Sequence, residues 1–139
     1  MAGNDDQQPV LVAEQQFNPG MAVTVMGPSP CTPYSSVFED DGDTAYFYGL
    51  DSRQTEQPIL DALHVYDVKA VTDQAKPSVA QIVWSPDGLR VALFINDYPH
   101  AVFDFVKRRG YCRTGFPPPA KTFSPEGHEW SEEALRFFE

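Results

Sequence analysis

The stretch Val83-Trp84-Ser85-Pro86-Asp87-Gly88-Leu89-Arg90-Val91-Ala92-Leu93-Phe94-Ile95 decides the fold class. An apolar, β-branched run breaks at Ser-Pro-Asp-Gly and then resumes. Asp-Gly between such runs predicts a β-hairpin, because its turn needs a positive φ that glycine adopts freely and aspartate tolerates. The same arrangement stands earlier, where Ser36-Val37-Phe38-Glu39 leads through Asp40-Asp41-Gly42-Asp43 into Thr44-Ala45-Tyr46-Phe47-Tyr48-Gly49-Leu50. Overlaid, Val37 meets Val83, Phe38 meets Trp84, the two Asp-Gly pairs coincide and Asp51 meets Asp97. A third strand follows each hairpin: Leu63–Val68 after the first and Ala101–Phe105 after the second. Aligning these third strands needs a gap, filled in the first copy by Ser52–Leu60. Two three-stranded meanders are therefore expected, either by duplication or because any two Asp-Gly hairpins share this chemistry.

Outward from this centre, Val10–Phe17 and Met21–Met26 read as strands separated by the turn signal Asn18-Pro19-Gly20. Gly27–Pro33 holds Pro28, Pro30 and Pro33 and reads as a loop, since proline cannot donate to a ladder. Asp67–Ser78 is a connection. After Phe105 come a basic turn, Lys107-Arg108-Arg109-Gly110, then Tyr111-Cys112-Arg113, then Gly115-Phe116-Pro117-Pro118-Pro119, which predicts an extended polyproline segment. Ser131 is placed to cap a short helix over Glu132–Phe138, with Glu132 and Glu133 at its positive end. The expectation is one β-rich domain over residues 10–139, preceded by a polar, frayed stretch 1–9. Its fold is mainly β: an antiparallel sheet or half-barrel of six to eight strands from two related meanders, with a short C-terminal helix.

Composition narrows the function classes. The chain has 139 residues, 42% of them hydrophobic, which suffices for a core without disulfide or metal. Cys31 and Cys112 form no C-x-x-C pair and read as free thiols, with a single disulfide as the alternative. Twenty acidic against ten basic residues give a formal charge of −10. Such a field repels phosphate backbones and anionic membranes, so no nucleic-acid or membrane partner is expected, and basic proteins are favoured. The N-terminus lacks the basic start and apolar run of a secretory signal, and the expected location is the cytoplasm.

Trp84-Ser85-Pro86-Asp87-Gly88 with its following strand resembles the phrase used in blades of β-propellers of the TolB and WD kind. The chain has room for two such units, too few for a propeller, so the likeness implies meander geometry alone. A wider resemblance runs over roughly residues 34–115. Trp84–Gly88, Val91–Asn96, His100-Ala101-Val102-Phe103-Asp104-Phe105 and Gly110-Tyr111-Cys112-Arg113, with Asp61–Tyr66 upstream, are similar to a bacterial domain-of-unknown-function family of small cytoplasmic proteins. That resemblance implies a bacterial origin and supplies no catalytic residues.

No catalytic motif is present, and neither a cofactor nor a metal is expected. His64, His100 and His128 lie on three segments without metal-ligand spacing, and Glu39–Asp43 lacks the spacing and flanking helices of a calcium loop. His100, Asp104 and Cys112 invite a Cys-His-acid reading. On one strand, however, His100 and Asp104 stand about 13 Å apart, and Cys112 reads better as a small buried hydrophobe. Lys107, Arg108, Arg109 and Arg113 gather much of the positive charge and are expected to pair with the protein's own acids. The first functional expectation is a non-enzymatic binding protein, of the immunity kind that neutralises a basic toxin. Its binding residues would be Glu39, Asp40, Asp41, Asp43, Tyr46 and Tyr48 at an acidic, aromatic hairpin tip. The alternative is a small-ligand binder or orphan enzyme with a cleft near His100, Asp104, Tyr111, Cys112 and Arg113.

Overall fold

The computed structural model describes residues 8–118 and 123–139. Among them are nine strands: β1 (Val10–Phe17), β2 (Val23–Pro28), β3 (Tyr34–Asp40), β4 (Thr44–Asp51), β5 (Ile59–Asp67), β6 (Ser78–Trp84), β7 (Arg90–Ile95), β8 (Tyr98–Asp104) and β9 (Arg109–Cys112). They form two antiparallel sheets, one in the order β1-β6-β7-β8-β9 and the other β2-β3-β4-β5, with no closed barrel. The mainly β reading therefore holds, with one meander in each sheet and the two packed face to face. The expected basic turn over Lys107–Gly110 ends earlier than its charge suggests, and Arg109 and Gly110 join Tyr111 and Cys112 in a strand. Its register, Ala101↔Cys112 through Asp104↔Arg109, makes it the last rung of the second meander.

Consecutive strands β1 and β2 lie in different sheets. β1 pairs with β6, Val10↔Trp84 to Phe17↔Ser78, while β2 pairs with β3, Val23↔Asp40 to Pro28↔Ser35. Each meander thus gains an outer strand in the same relative place. The Asn18-Pro19-Gly20 turn carries the chain between sheets, with Gly20 at φ +93° and Asn18 Nδ2 donating to the carbonyls of Gln74 and Ala75. The two hairpins differ in length. Residues 41–44 lie between the last ladder partners Asp40 and Ala45, whereas 85–90 lie between Trp84 and Val91. Glycines take positive φ at both tips, Gly42 at +101° and Gly88 at +72°.

The core lies between the sheets because strand alternation sends every second side chain inward. Phe38, Phe47 and Leu63 from one sheet meet Ile82, Trp84, Leu93 and Phe103 from the other, all fully buried. Phe47 and Phe103 stack across the interface with centroids 5.6 Å apart. Burying each such side chain contributes about 1.5–3 kcal/mol. Gly27 sets the approach of the sheets at one edge. Its carbonyl accepts from Trp84 Nε1 at 3.0 Å and Ser36 Oγ at 2.7 Å, and a Cβ there would stand 2.6 Å from Ile82 Cγ2. Gly27→Ala should therefore cost about 1–3 kcal/mol through overpacking. A urea midpoint equal to that of the parent protein would contradict this.

The outer face of the five-stranded sheet is crossed by the C-terminal segment. The helix over Glu132–Phe138 is 3-10, and Ser131 makes no side-chain cap; the first turn closes through the backbone instead. Ala134, Leu135 and Phe138 pack on Ala92, Phe94, Val102 and Tyr111. Arg113 stacks on Trp130 at 3.8 Å and Arg90 on Phe137 at 4.0 Å. Both cysteines are free, Cys31 exposed and Cys112 buried. No described helix is long and apolar enough to cross a membrane. Most of the expected frayed stretch, residues 1–7, and Pro119 of the expected polyproline segment lie outside the described residues.

Candidate functional site

The outer face of the four-stranded sheet is laid out by its register in three rows. Thr24, Glu39, Tyr46 and His64 form one; Met26, Val37, Tyr48 and Ala62 the next; Pro28, Ser35, Leu50 and Ile59 the third. Among the described residues no strand or helix packs over these rows. Met26 is 67% exposed and Ile59 44%. Tyr46 and Tyr48 stack with centroids 6.1 Å apart, and His64 meets Tyr46 edge-on at 5.4 Å. Val37, Glu39, Tyr48, Leu50 and Ile59 line a shallow apolar groove.

Negative charge rims this face. Asp41 and Asp43 are exposed at the hairpin tip. The backbone N–H groups of Thr44 and Asp43 hold the Asp41 carboxyl below its ordinary range, so it is ionised at neutral pH. Burial, then the Glu39 carboxylate, pushes the Tyr48 phenol up; burial, then Asp67, does the same for Tyr46. Both rings therefore stay neutral and present hydroxyl donors. Apolar, aromatic and acidic groups on one open sheet face suit a protein partner carrying lysine or arginine.

Asp40 does not belong to that surface. It is fully buried, because Ser36, Phe38 and Asp40 share the inner side of β3. Its carboxylate accepts from Gly20 N at 2.8 Å, Gly42 N at 2.8 Å and the Tyr66 hydroxyl at 2.6 Å. It ties the inter-sheet turn to the hairpin and leaves Glu39, Asp41, Asp43, Tyr46 and Tyr48 as the surface group. The alternation from Phe38 was the signal that separates Asp40 from its acidic neighbours.

The residues of the expected second cleft divide between two faces. Cys112 points into the core, with Sγ 3.4 Å from the Phe116 carbonyl oxygen, and burial pushes its thiol up, away from nucleophilic thiolate. His100, Tyr111 and Arg113 lie on the opposite side of the sheet, so no Cys-His pair is assembled. Burial, and then Arg113, lowers His100 to about 4. Asp104 is buried and accepts from the backbone N–H of Val106 at 2.9 Å and Lys107 at 3.0 Å, with Arg90 Nε 3.3 Å away. Two of the four clustered cations pair internally: Arg109 with Glu126 at 3.8 Å and Arg113 with Glu132 at 3.3 Å.

One buried polar cluster, around Asp61 and His128, lies outside the residues expected to act. His128 Nε2 lies 2.7 Å from Asp61 Oδ2, its Nδ1 faces the Pro117 carbonyl, and Ser124 Oγ donates to the same Asp61 oxygen at 2.6 Å. These residue types match a hydrolytic triad, but the serine bonds the carboxylate and not the imidazole. His128 and Ser124 are 3% and 2% exposed, so attack on a substrate has no path. The cluster fastens the C-terminal segment to β5, and Ser124 Oγ also accepts from Gly110 N of β9. No local spacing announces it, since Asp61 and His128 are far apart in the chain. Among the described residues no group of His, Cys, Asp and Glu is placed to hold a metal ion.

Residues 17–139 match the family model described as "Uncharacterized protein conserved in bacteria (DUF2251)". A curated Haemophilus influenzae protein, described as an uncharacterized protein, is 46% identical over 86 residues. The aligned stretch is 62% of this chain and 53% of that protein, so the chain spans about half the length of that relative. No solved structure matches.

Proposed function

We propose, from the premise that the chain belongs to the bacterial family DUF2251, that it is a cytoplasmic binding protein whose open four-stranded face takes a basic protein partner. The observation that carries this reading is the uncovered sheet face on which Glu39, Tyr46 and Tyr48 sit beside the exposed Asp41 and Asp43. The stacked tyrosines offer rigid contact area at low entropic cost. The carboxylates steer a cationic surface onto them, which raises the association rate more than the affinity. An immunity-type protein that neutralises a basic toxin fits this chemistry. The absence of an assembled nucleophile in the described residues favours binding over catalysis.

The test is titration against the product of a basic, toxin-like gene adjacent to its own, at low and high salt. Association should weaken as salt rises. The variant Glu39→Lys/Asp41→Lys/Asp43→Lys should lose at least tenfold, about 1.4 kcal/mol or more, mostly in on-rate. Tyr48→Ala should raise the off-rate, costing about 2 kcal/mol as an anchor residue. Binding of undiminished strength by the triple variant, or binding indifferent to salt, would overturn the assignment of this face.

A further inference from the structure

We infer that the apolar groove beside Tyr48 is an arginine clamp, which takes a guanidinium side chain of the partner in preference to a lysine. The inference rests on the proposed partner-binding face and adds the identity of the side chain that anchors there. Val37, Glu39, Tyr48, Leu50 and Ile59 line the groove, so one aromatic ring and one carboxylate stand together among aliphatic walls. Register explains the grouping. Val37 lies opposite Tyr48 across the β3–β4 ladder, and Glu39 stands one row away on the same face.

The protein's own arginines show what such a pair holds. Each of them lies over an aromatic ring, between 3.8 and 5.6 Å from its centroid. Arg53, Arg90, Arg109 and Arg113 also reach a carboxylate. Arg53 sits over Tyr34 and pairs with Asp51, and Arg90 sits over Phe137 and pairs with Asp87. Arg109 does the same with Tyr111 and Glu126, and Arg113 with Trp130 and Glu132. None of the described lysines lies over a ring. A guanidinium is planar and weakly hydrated, so it can lie on a ring while its N–H fork bonds a carboxylate; an ammonium must shed more water to do so.

On the open face the same pairing, Tyr48 with Glu39, has no guanidinium from this chain. The three rows contain neither lysine nor arginine, and Glu39 makes no ion pair among the described residues. The groove also suits the rest of an arginine side chain, whose methylene stem would lie along Val37, Leu50 and Ile59. Tyr48 is half-buried, which leaves its ring within reach of an entering group. The exposed Asp41 and Asp43 attract lysine and arginine alike, so discrimination comes from the groove.

The experiment titrates the full chain, at low salt, with two peptides of equal charge, tetra-arginine amide and tetralysine amide. Binding is read residue by residue from backbone amide NMR shifts. Both peptides should bind the acidic face, and tetra-arginine should shift the amides of Val37, Glu39, Tyr48 and Leu50 with roughly fivefold higher affinity. Tyr48→Leu should erase that preference, whereas Tyr48→Phe, which keeps the ring, should retain it. Glu39→Gln should weaken tetra-arginine roughly threefold; Glu39 lies outside the core, so this variant keeps the test sound if Tyr48→Leu perturbs folding. Equal affinity of the two peptides, or a preference that survives Tyr48→Leu, would remove the clamp. The partner-binding face would outlive that result if Glu39→Lys/Asp41→Lys/Asp43→Lys abolishes binding of both peptides. If neither peptide shifts any residue of this face, the clamp and the face fall together.

Discussion

Asp40→Ala is expected to lower the unfolding free energy by about 4 kcal/mol, far more than any change at its acidic neighbours. Three donors lose their acceptor together: the backbone N–H groups of Gly20 and Gly42 and the Tyr66 hydroxyl. Each donor left unsatisfied in a buried site costs about 1–3 kcal/mol. The Gly20 turn hands the chain from one sheet to the other, so the loss also loosens the seam between β1 and β2. Asp41→Lys removes turn bonds to the Asp43 and Thr44 N–H groups at the exposed tip, where water replaces them, and should cost far less. Urea titration of both variants checks the contrast. A double-mutant cycle with Tyr66→Phe should show coupling of about 1 kcal/mol or more between Asp40 and Tyr66. Equal destabilisation by the two aspartate variants would contradict the burial of Asp40. For the binding experiment the consequence is practical: charge reversal at Asp40 would report unfolding, not a lost contact.

The second large effect is on stability against pH, where two histidines act with opposite sign. His100 is held at about 4 by burial and by Arg113, below its unfolded value of about 6.5. Its contribution is therefore complete above pH 6.5 and is lost as pH falls from there toward 4, by up to about 3 kcal/mol. His128 runs the other way. Burial alone would lower it, but the bonds to the Asp61 carboxylate and the Pro117 carbonyl outweigh that and raise it. Both ring nitrogens face acceptors, so the protonated ring is the form that satisfies them. Its contribution is complete below pH 6.5 and fades as pH rises through the elevated folded value. Stability should thus pass through a maximum between the two legs. His100→Phe should flatten the leg between pH 6.5 and 4, and His128→Gln the leg above 6.5. His128→Ala should cost about 3 kcal/mol at pH 6 and speed proteolysis after residue 123, because the segment loses its tie to β5. An alkaline leg unchanged in His128→Gln would show that the lock does not depend on the imidazolium.

Much of the fold was legible because its signals are local. The Asp-Gly tips at 41–42 and 87–88, the run Val10–Phe17 and the third strands after each hairpin follow from turn chemistry and period-two alternation. The strand Arg109–Cys112 was hidden by its charge: on an edge, Lys107, Arg108 and Arg109 read as a solvated turn until Asp104↔Arg109 pairing is seen. The site was half legible. Glu39, Tyr46 and Tyr48 alternate onto one face as expected, and Asp41 and Asp43 crown the tip. Asp40 falls inside by the same rule, one residue out of phase. The second cleft failed at Cys112, which alternation sends to the core while Tyr111 and Arg113 go outward.

By itself the sequence determined every strand but Arg109–Cys112, the hairpin turns and the acid excess, since each depends on the preferences of neighbouring residues. Only the tertiary structure decided that β1 joins the sheet of β6, that one outer face is covered by the C-terminal helix while the other stays open, and that Asp61 meets His128. Alternation creates two faces on every strand without saying which will meet water. That choice depends on what packs against each face, and the partners come from positions far along the chain that no local spacing encodes.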